Sequence, residues 1–311
     1  MYEVLLPFGL VILAGVVFKR LRVAGADAES VRVAVGAVVL NIFLPALCIR
    51  AVYTARIDAR LFLVPVISWV TTLVSLLLSL GLYTVLEKRM RISPAEKGVL
   101  VIGATFGNVL YLGLPVLTGL YGSEAAKYAL FYDLLAATPA LWIFGAAVAA
   151  RYGEGRGTTV AESLKTIATL PPIWGIIVGF ALKWAAVPVP GLLMKSLGML
   201  GDTVVPLMVF SVGLALSLPK VKHAIIALPA VFMKLLIVPL VAFLTGGVLG
   251  LKGEPLAACV VEGSMPTMII ALLIAERLRL DIALAAFLIV VTTALFFLTL
   301  PLIVYLTGYL M

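Results

Sequence analysis

The sequence predicts an all-α integral membrane protein: ten transmembrane helices in a five-plus-five inverted repeat, with broken crossover helices 4 and 9. Three observations predict it. Of the residues, 63% are hydrophobic and 12% charged, whereas soluble domains carry roughly 45–50% apolar and about 25% charged residues. Ten apolar stretches approach or exceed the about 20 residues that a hydrocarbon core of about 30 Å requires. Two of these stretches, at corresponding places in the two halves, are interrupted near their middles by Gly and Pro.

In order, segment 1 is Val4–Phe18. Glu3 precedes it and Lys19, Arg20 and Arg22 follow, the reverse of a secretory signal peptide, so it is expected to remain in the protein. Segment 2, Val31–Val52, contains Asn41 four residues before Pro45, and segment 3, Leu61–Leu86, has no charge between Arg60 and Glu87. Segment 4, Gly98–Leu120, is broken by Gly107-Asn108 and by Gly113-Leu114-Pro115; segment 5, Ala126–Ala150, carries Asp133. Residues 1–150 thus form a first five-helix repeat, 151–166 a short cytoplasmic linker, Gly-rich and charged at its start, and 167–311 a second repeat. There, segment 6 (Ile167–Val187) contains the close-packing pattern Gly175-Ile176-Ile177-Val178-Gly179. Segment 7 (Leu192–Leu218) places Asp202 four residues before Pro206, and segment 8 (Ala224–Leu249) holds Lys234. Segment 9 (Leu256–Ala275) is broken at Glu262-Gly263-Ser264-Met265-Pro266, and segment 10 (Ile282–Leu306) has no charge after Asp281.

Five helices per half bring the second half in from the opposite membrane side, so the matches between segments 2 and 7, and 4 and 9, read as an inverted repeat. Loops 1-2, 3-4, 5-6, 7-8 and 9-10 carry fifteen Lys and Arg against seven on the other side. Lys and Arg mark cytoplasmic loops, which places both termini outside the cytoplasm of a prokaryotic inner (plasma) membrane. The net charge of +8 follows from this asymmetry and suits lipid headgroups, not nucleic acid. Cys48 and Cys259 fall inside spans as small packing residues.

A helix interrupted in lipid frees backbone groups that each cost several kcal/mol unless protein or a wet cavity satisfies them, so a break implies a cavity. Pro suits the first turn of a helix, which places new helix starts at Pro115 and Pro266. The unpaired N–H groups there, with the positive dipole ends, favour an anion. Gly113, Asn108, Ser264 and Thr267 flank these starts. Asp133, Asp202, Lys234 and Glu262 are charges within spans, and each needs a partner, a proton, an ion or water. Glu262 and Asp202 are candidates to carry a coupling proton or to give oxygens to Na⁺. Asp133 and Lys234 are ion-coupling candidates beside them, Asp133 as a relay. Asp202 sits equally well at a helix end, Lys234 in a scaffold ion pair with an acid, and Asp133 in a packing hydrogen bond alone.

The runs Asn41-Ile42-Phe43-Leu44-Pro45-Ala46-Leu47, Gly107-Asn108-Val109-Leu110-Tyr111-Leu112-Gly113-Leu114-Pro115-Val116-Leu117 and Pro206-Leu207-Met208-Val209-Phe210-Ser211-Val212-Gly213, with Lys234 and Pro239, resemble the auxin efflux carrier family. That family includes plant PIN-type auxin exporters and prokaryotic organic-acid permeases. The resemblance implies a scaffold of helices 1, 2, 6 and 7, a transport domain of helices 3–5 and 8–10 moving as an elevator, and a homodimer. It implies small organic anions as substrates, bound by Asn108, Pro115 and Pro266, with Asn41 and Pro45 facing them from the scaffold. The short midpoint linker departs from the long hydrophilic loop of the plant exporters, and Glu262 and Asp133 stand where neutral residues are expected in many relatives.

The expected function is secondary active transport of a small carboxylate, coupled to H⁺ or Na⁺, with no other cofactor. A passive anion channel or uniporter, and a ligand-binding membrane sensor, are the alternatives. An enzyme would need a catalytic constellation, and one histidine, His223, with no HExxH or GxSxG motif offers none.

Overall fold

The computed structural model describes residues 2–21, 25, 27–154, 159–216 and 224–308. Arg22, Arg156, Lys220 and Lys222, used to orient the chain, and His223 lie outside the described residues, as does the predicted end of segment 7 at Leu218. The described residues form helices α1 (Tyr2–Leu21), α2 (Ala28–Thr54), α3 (Leu63–Met90), α4 (Pro94–Thr105), α5 (Val109–Tyr121), α6 (Ser123–Tyr152) and α7 (Val160–Ala168), then α8 (Pro171–Trp184), α9 (Gly191–Ala215), α10 (Ala224–Val248), α11 (Glu254–Gly263), α12 (Ile270–Arg277) and α13 (Ile282–Gly308).

Seven of these helical stretches are long and apolar enough to cross a bilayer alone, and α7 with α8, bent by 53°, would make an eighth span. Predicted segments 4 and 9 are each two short helices: α4 and α5, and α11 and α12. The predicted linker 151–166 is partly helical, because Thr159 and Glu162 form a capping box that opens α7 inside it. Ser93 and Glu96 cap α4 in the same way.

Packing sorts the helices into two groups. One contains α1 against the second half of α9, and α2 against α8 and the first half of α9. Gly175 and Gly179 of α8 let it lie against Pro45, Cys48, Ile49 and Val52 of α2, the close packing their spacing predicts. The other group contains α3 against α4 and α10, α10 against α11, and α13 against α4. Its centre is α4 and α11, buried over Lys97–Thr105 and Leu256–Gly263 respectively. Leu6, Leu10 and Leu13 of α1, Leu77 of α3 and Leu298 of α13 point outward, as lipid-facing residues must.

Four prolines leave the same trace, while Pro7, Pro229 and Pro301 lie inside helices without it. Four helical stretches open into a π turn six to two residues before a proline: Val39–Phe43 before Pro45, Val109–Gly113 before Pro115, Asp133–Ala137 before Pro139 and Met233–Ile237 before Pro239. Proline has no N–H to give the carbonyl four residues back, and its ring crowds that carbonyl. Widening the preceding turn to i→i+5 bonding, as where the Leu114 N–H reaches the Val109 carbonyl, moves the obstructed carbonyl aside without ending the helix. Pro115 therefore does not start a helix, contrary to the sequence expectation: the break lies upstream, at Phe106–Asn108, and α5 begins at Val109. Pro266 does not start one either; it lies within an extended stretch, and α12 begins at Ile270.

Candidate functional site

The two interruptions meet. Gly107 and Thr267 form an isolated antiparallel bridge, in which the Asn108 N–H donates to the Pro266 carbonyl at 2.7 Å and the Met268 N–H to the Phe106 carbonyl at 3.1 Å. Each broken backbone thus satisfies the other, which is how irregular chain persists away from water. Pro266 has no N–H to place and contributes only its carbonyl. Thr267 locks the junction. Its N–H donates to the Thr292 hydroxyl of α13 at 3.0 Å and its own hydroxyl donates to the Gly103 carbonyl of α4 at 2.8 Å.

On one side of the junction lies a cavity of about 140 Å³ lined by residues of α2, α5, α6 and α9, with Met268 and Ile270. Its polar wall is Asn108, Tyr111, Asp133 and Thr138; Val39, Leu40, Leu134, Trp142, Met208 and Met268 give an apolar one. Asn108 is 4% exposed, and its side-chain amide makes no hydrogen bond to any described residue. Its carbonyl accepts from the Leu112 and Gly113 N–H groups, so it caps α5 through its backbone alone. The N–H groups of Val109, Leu110 and Tyr111 precede any intrahelical acceptor, as at every helix start, and these residues line the cavity. Asp133 opens the π turn of α6, is 5% exposed and accepts a 2.8 Å bond from the Thr138 hydroxyl on Oδ2.

On the other side is a small polar crevice of about 10 Å³, with Gly107 and Val109 common to both spaces. Thr71, Thr72, Tyr132, Lys234 and Glu262 line it. Glu262 is 1% exposed and neither carboxylate oxygen has a hydrogen-bond partner. Lys234 is equally buried, but its ammonium donates to the Gly263 carbonyl at 2.8 Å. Lys234 shares the crevice with the acid Glu262, as expected, but its hydrogen bond goes to the C-terminal end of α11, which presents carbonyls that its own helix leaves unpaired. Two glycines make the room. A Cβ at Gly107 would stand 3.1 Å from Lys234 Nζ, and one at Gly113 would collide with the Glu262 carboxylate.

The structure gathers Asn108, Gly113, Pro266, Thr267, Asp133, Lys234 and Glu262 around the junction and leaves other sequence candidates apart. Asn41 is exposed and its amide bonds back to the Ala37 carbonyl at 2.8 Å, while Pro45 packs on Gly175 of α8; neither lines the cavity. Ser264 is fully buried and its hydroxyl donates to the Val260 carbonyl, the Thr267 hydroxyl likewise donates to backbone, and neither residue lines the cavity. Pro115 is buried beyond the π turn and does not line the cavity. Asp202, with a side chain 72% exposed, pairs with Arg50 at 3.0 Å in a separate cavity of about 220 Å³ that also includes Ser123 and Glu124. That partner and exposure remove the need for a coupling ion there. Sequence reasoning missed Thr138, Thr292 and Tyr111. Pro139 was the available signal for Thr138, since Asp133 lies six residues before it.

Residues 27–304 match the model of a family described as membrane transport protein. The chain is 29% identical over 304 residues to an uncharacterized transporter of Methanothermobacter thermautotrophicus, covering 96% of both. An uncharacterized transporter of Methanocaldococcus jannaschii is 32% identical over 211 residues, 65% of this chain and 66% of that one. The uncharacterized transporter YfdV of Escherichia coli is 23% identical over 216 residues, 66% of this chain and 68% of its own.

Proposed function

Because this multi-pass membrane chain belongs to the membrane transport protein family, the auxin efflux carrier family that its motifs resemble, we propose that it is a secondary transporter of a small organic anion. The solute binds in the cavity beside Asn108. One observation carries this reading: the junction of two interrupted helices offers, in one cavity, an unpartnered buried amide and the unpaired N–H groups that open α5. Such a helix start is a ready-made carboxylate site. The net favourable value of hydrogen bonds to a charged group is about 1.5–3 kcal/mol each.

In this reading the spans form a ten-helix inverted repeat, which gives the mechanism. The group built on α1, α2, α8 and α9 acts as scaffold, and the group carrying both breaks moves against it as an elevator. Trp142 and Leu170 border the cavity, and Ser163 of α7 bonds the Trp142 carbonyl at 2.7 Å, next to the midpoint linker. With that linker cytoplasmic, this conformer faces inward. Glu262, in the crevice behind the junction, is the group that exchanges a proton or Na⁺ as the two bodies move; Lys234 holds the end of α11 beside it.

The experiment is uptake of labelled small carboxylates by reconstituted protein under imposed pH and Na⁺ gradients. Saturable uptake that Asn108→Ala lowers about tenfold or more, with insertion unchanged, supports the reading. Uptake by the variant equal to wild type contradicts it, and flux that does not saturate points to a channel.

A further inference from the structure

The cavity holds an acceptor that a simple carboxylate leaves unused. Among its described lining residues there is no lysine or arginine, and the one acidic group is Asp133. Thr138 donates to Oδ2 only, so Oδ1 is an acceptor without a partner among the described residues. Asp133 is 5% exposed, and a buried acceptor left unmatched when a solute displaces water costs more than the bond itself is worth. The same cavity holds the Asn108 amide and the residues whose N–H groups open α5, which are donors, and the turn that carries Asp133 packs against the turn at the start of α5. Leu40, Leu134, Met208 and Met268 give it an apolar wall. Hydrogen-bond donors, an acceptor and an apolar surface thus share one space.

We propose that the solute is an α-substituted small carboxylate, bearing an amine or hydroxyl on the carbon next to the acid, together with a short aliphatic body. Its carboxylate lies on the start of α5 and Asn108, its amine or hydroxyl donates to Asp133 Oδ1, and its side chain meets the methionines and leucines. The size agrees. An enclosed apolar cavity of about 150 Å³ takes a six-carbon ring, and this one, of about 140 Å³, suits a solute of comparable bulk. The inference rests on the carboxylate reading above and adds the requirement for a donor.

Four compounds sharing one branched aliphatic body test it on the purified full chain in detergent, by titration calorimetry with thermal shift as a second readout: valine, 2-hydroxyisovalerate, isovalerate and isobutylamine, which is valine without its carboxylate. Valine or 2-hydroxyisovalerate should bind about tenfold or more tightly than isovalerate, with isobutylamine weakest. Asp133→Asn should remove the advantage over isovalerate while isovalerate itself still binds. The ligand comparison on the unaltered protein stands even if that variant does not fold. Isovalerate binding as tightly as both substituted acids overturns this inference and leaves the carboxylate site standing. Isobutylamine binding as tightly as valine, or no acid binding at all, overturns both.

Discussion

Glu262 and Gly113 are in direct opposition across the junction: the Glu262 carboxylate fills the space that any side chain at position 113 would need. Neither of its oxygens accepts a hydrogen bond, although the residue is 1% exposed. An acid so placed is held by shape, and the π turn Val109–Gly113 sets that shape by turning Gly113 toward α11.

Gly113→Ala should therefore destabilise the protein through overpacking, by about 1–3 kcal/mol. In a Glu262→Ala background the same change should cost much less, because the obstructing carboxylate is gone. Thermal denaturation of the four proteins checks this as a double-mutant cycle. Equal costs in both backgrounds would mean that the two residues do not oppose each other.

Glu262→Gln keeps the shape and removes the charge. Uptake by this variant should persist but lose its response to an imposed pH or Na⁺ gradient, whichever drives the wild type. An unaltered response would eliminate Glu262 as the coupling group and return attention to Asp133.

Thr292 supports the junction from α13 by accepting the Thr267 N–H. Thr292→Val leaves that buried N–H without an acceptor, which costs about 1–3 kcal/mol, whereas Thr292→Ser retains the oxygen. Denaturation midpoints should rank wild type, Ser, then Val; a Val variant as stable as wild type would show that the bond contributes nothing.

Pro115→Ala restores an N–H and removes the ring that forces the π turn. If the turn tightens by one residue, the helix start before it rotates by about 100°, carrying Asn108 out of the cavity. Membrane insertion should be unaffected while uptake falls; uptake equal to wild type would show that Asn108 keeps its place without Pro115.

Much of this was legible in the sequence, and the rest failed for identifiable reasons. Segments 4 and 9 announced their breaks through Gly107-Asn108 and Ser264-Met265-Pro266, and the two breaks touch. The capping boxes at Ser93 and Thr159 went unread, and the second opens a helix inside the predicted linker. Pro115 was misread because a proline within a span can open a helix, follow a π turn, or, as Pro229 and Pro301 do, lie inside a continuous helix, and packing decides among them. Lys234 was expected to meet an acid and does share a crevice with Glu262, but the carbonyl that takes its hydrogen bond was not foreseen, because it belongs to a helix end set by the break itself. Asn41 and Asn108 look alike in sequence, each polar residue shortly before a proline. One bonds its own helix at Ala37 and the other faces a cavity, a difference made by which helices pack around them.

The central claim is that a carboxylate sits against the start of α5, and Leu110, which lines that cavity, reports on it. Cys48 and Cys259 are both buried, and replacing them with Ala permits a single Leu110→Cys reporter. The rate at which a small membrane-permeant maleimide labels it, measured against rising valine and isovalerate, tests the claim most directly. The account predicts that labelling slows and saturates with the concentration of the acid that the protein transports. Labelling that is indifferent to a solute the same protein demonstrably carries would contradict it.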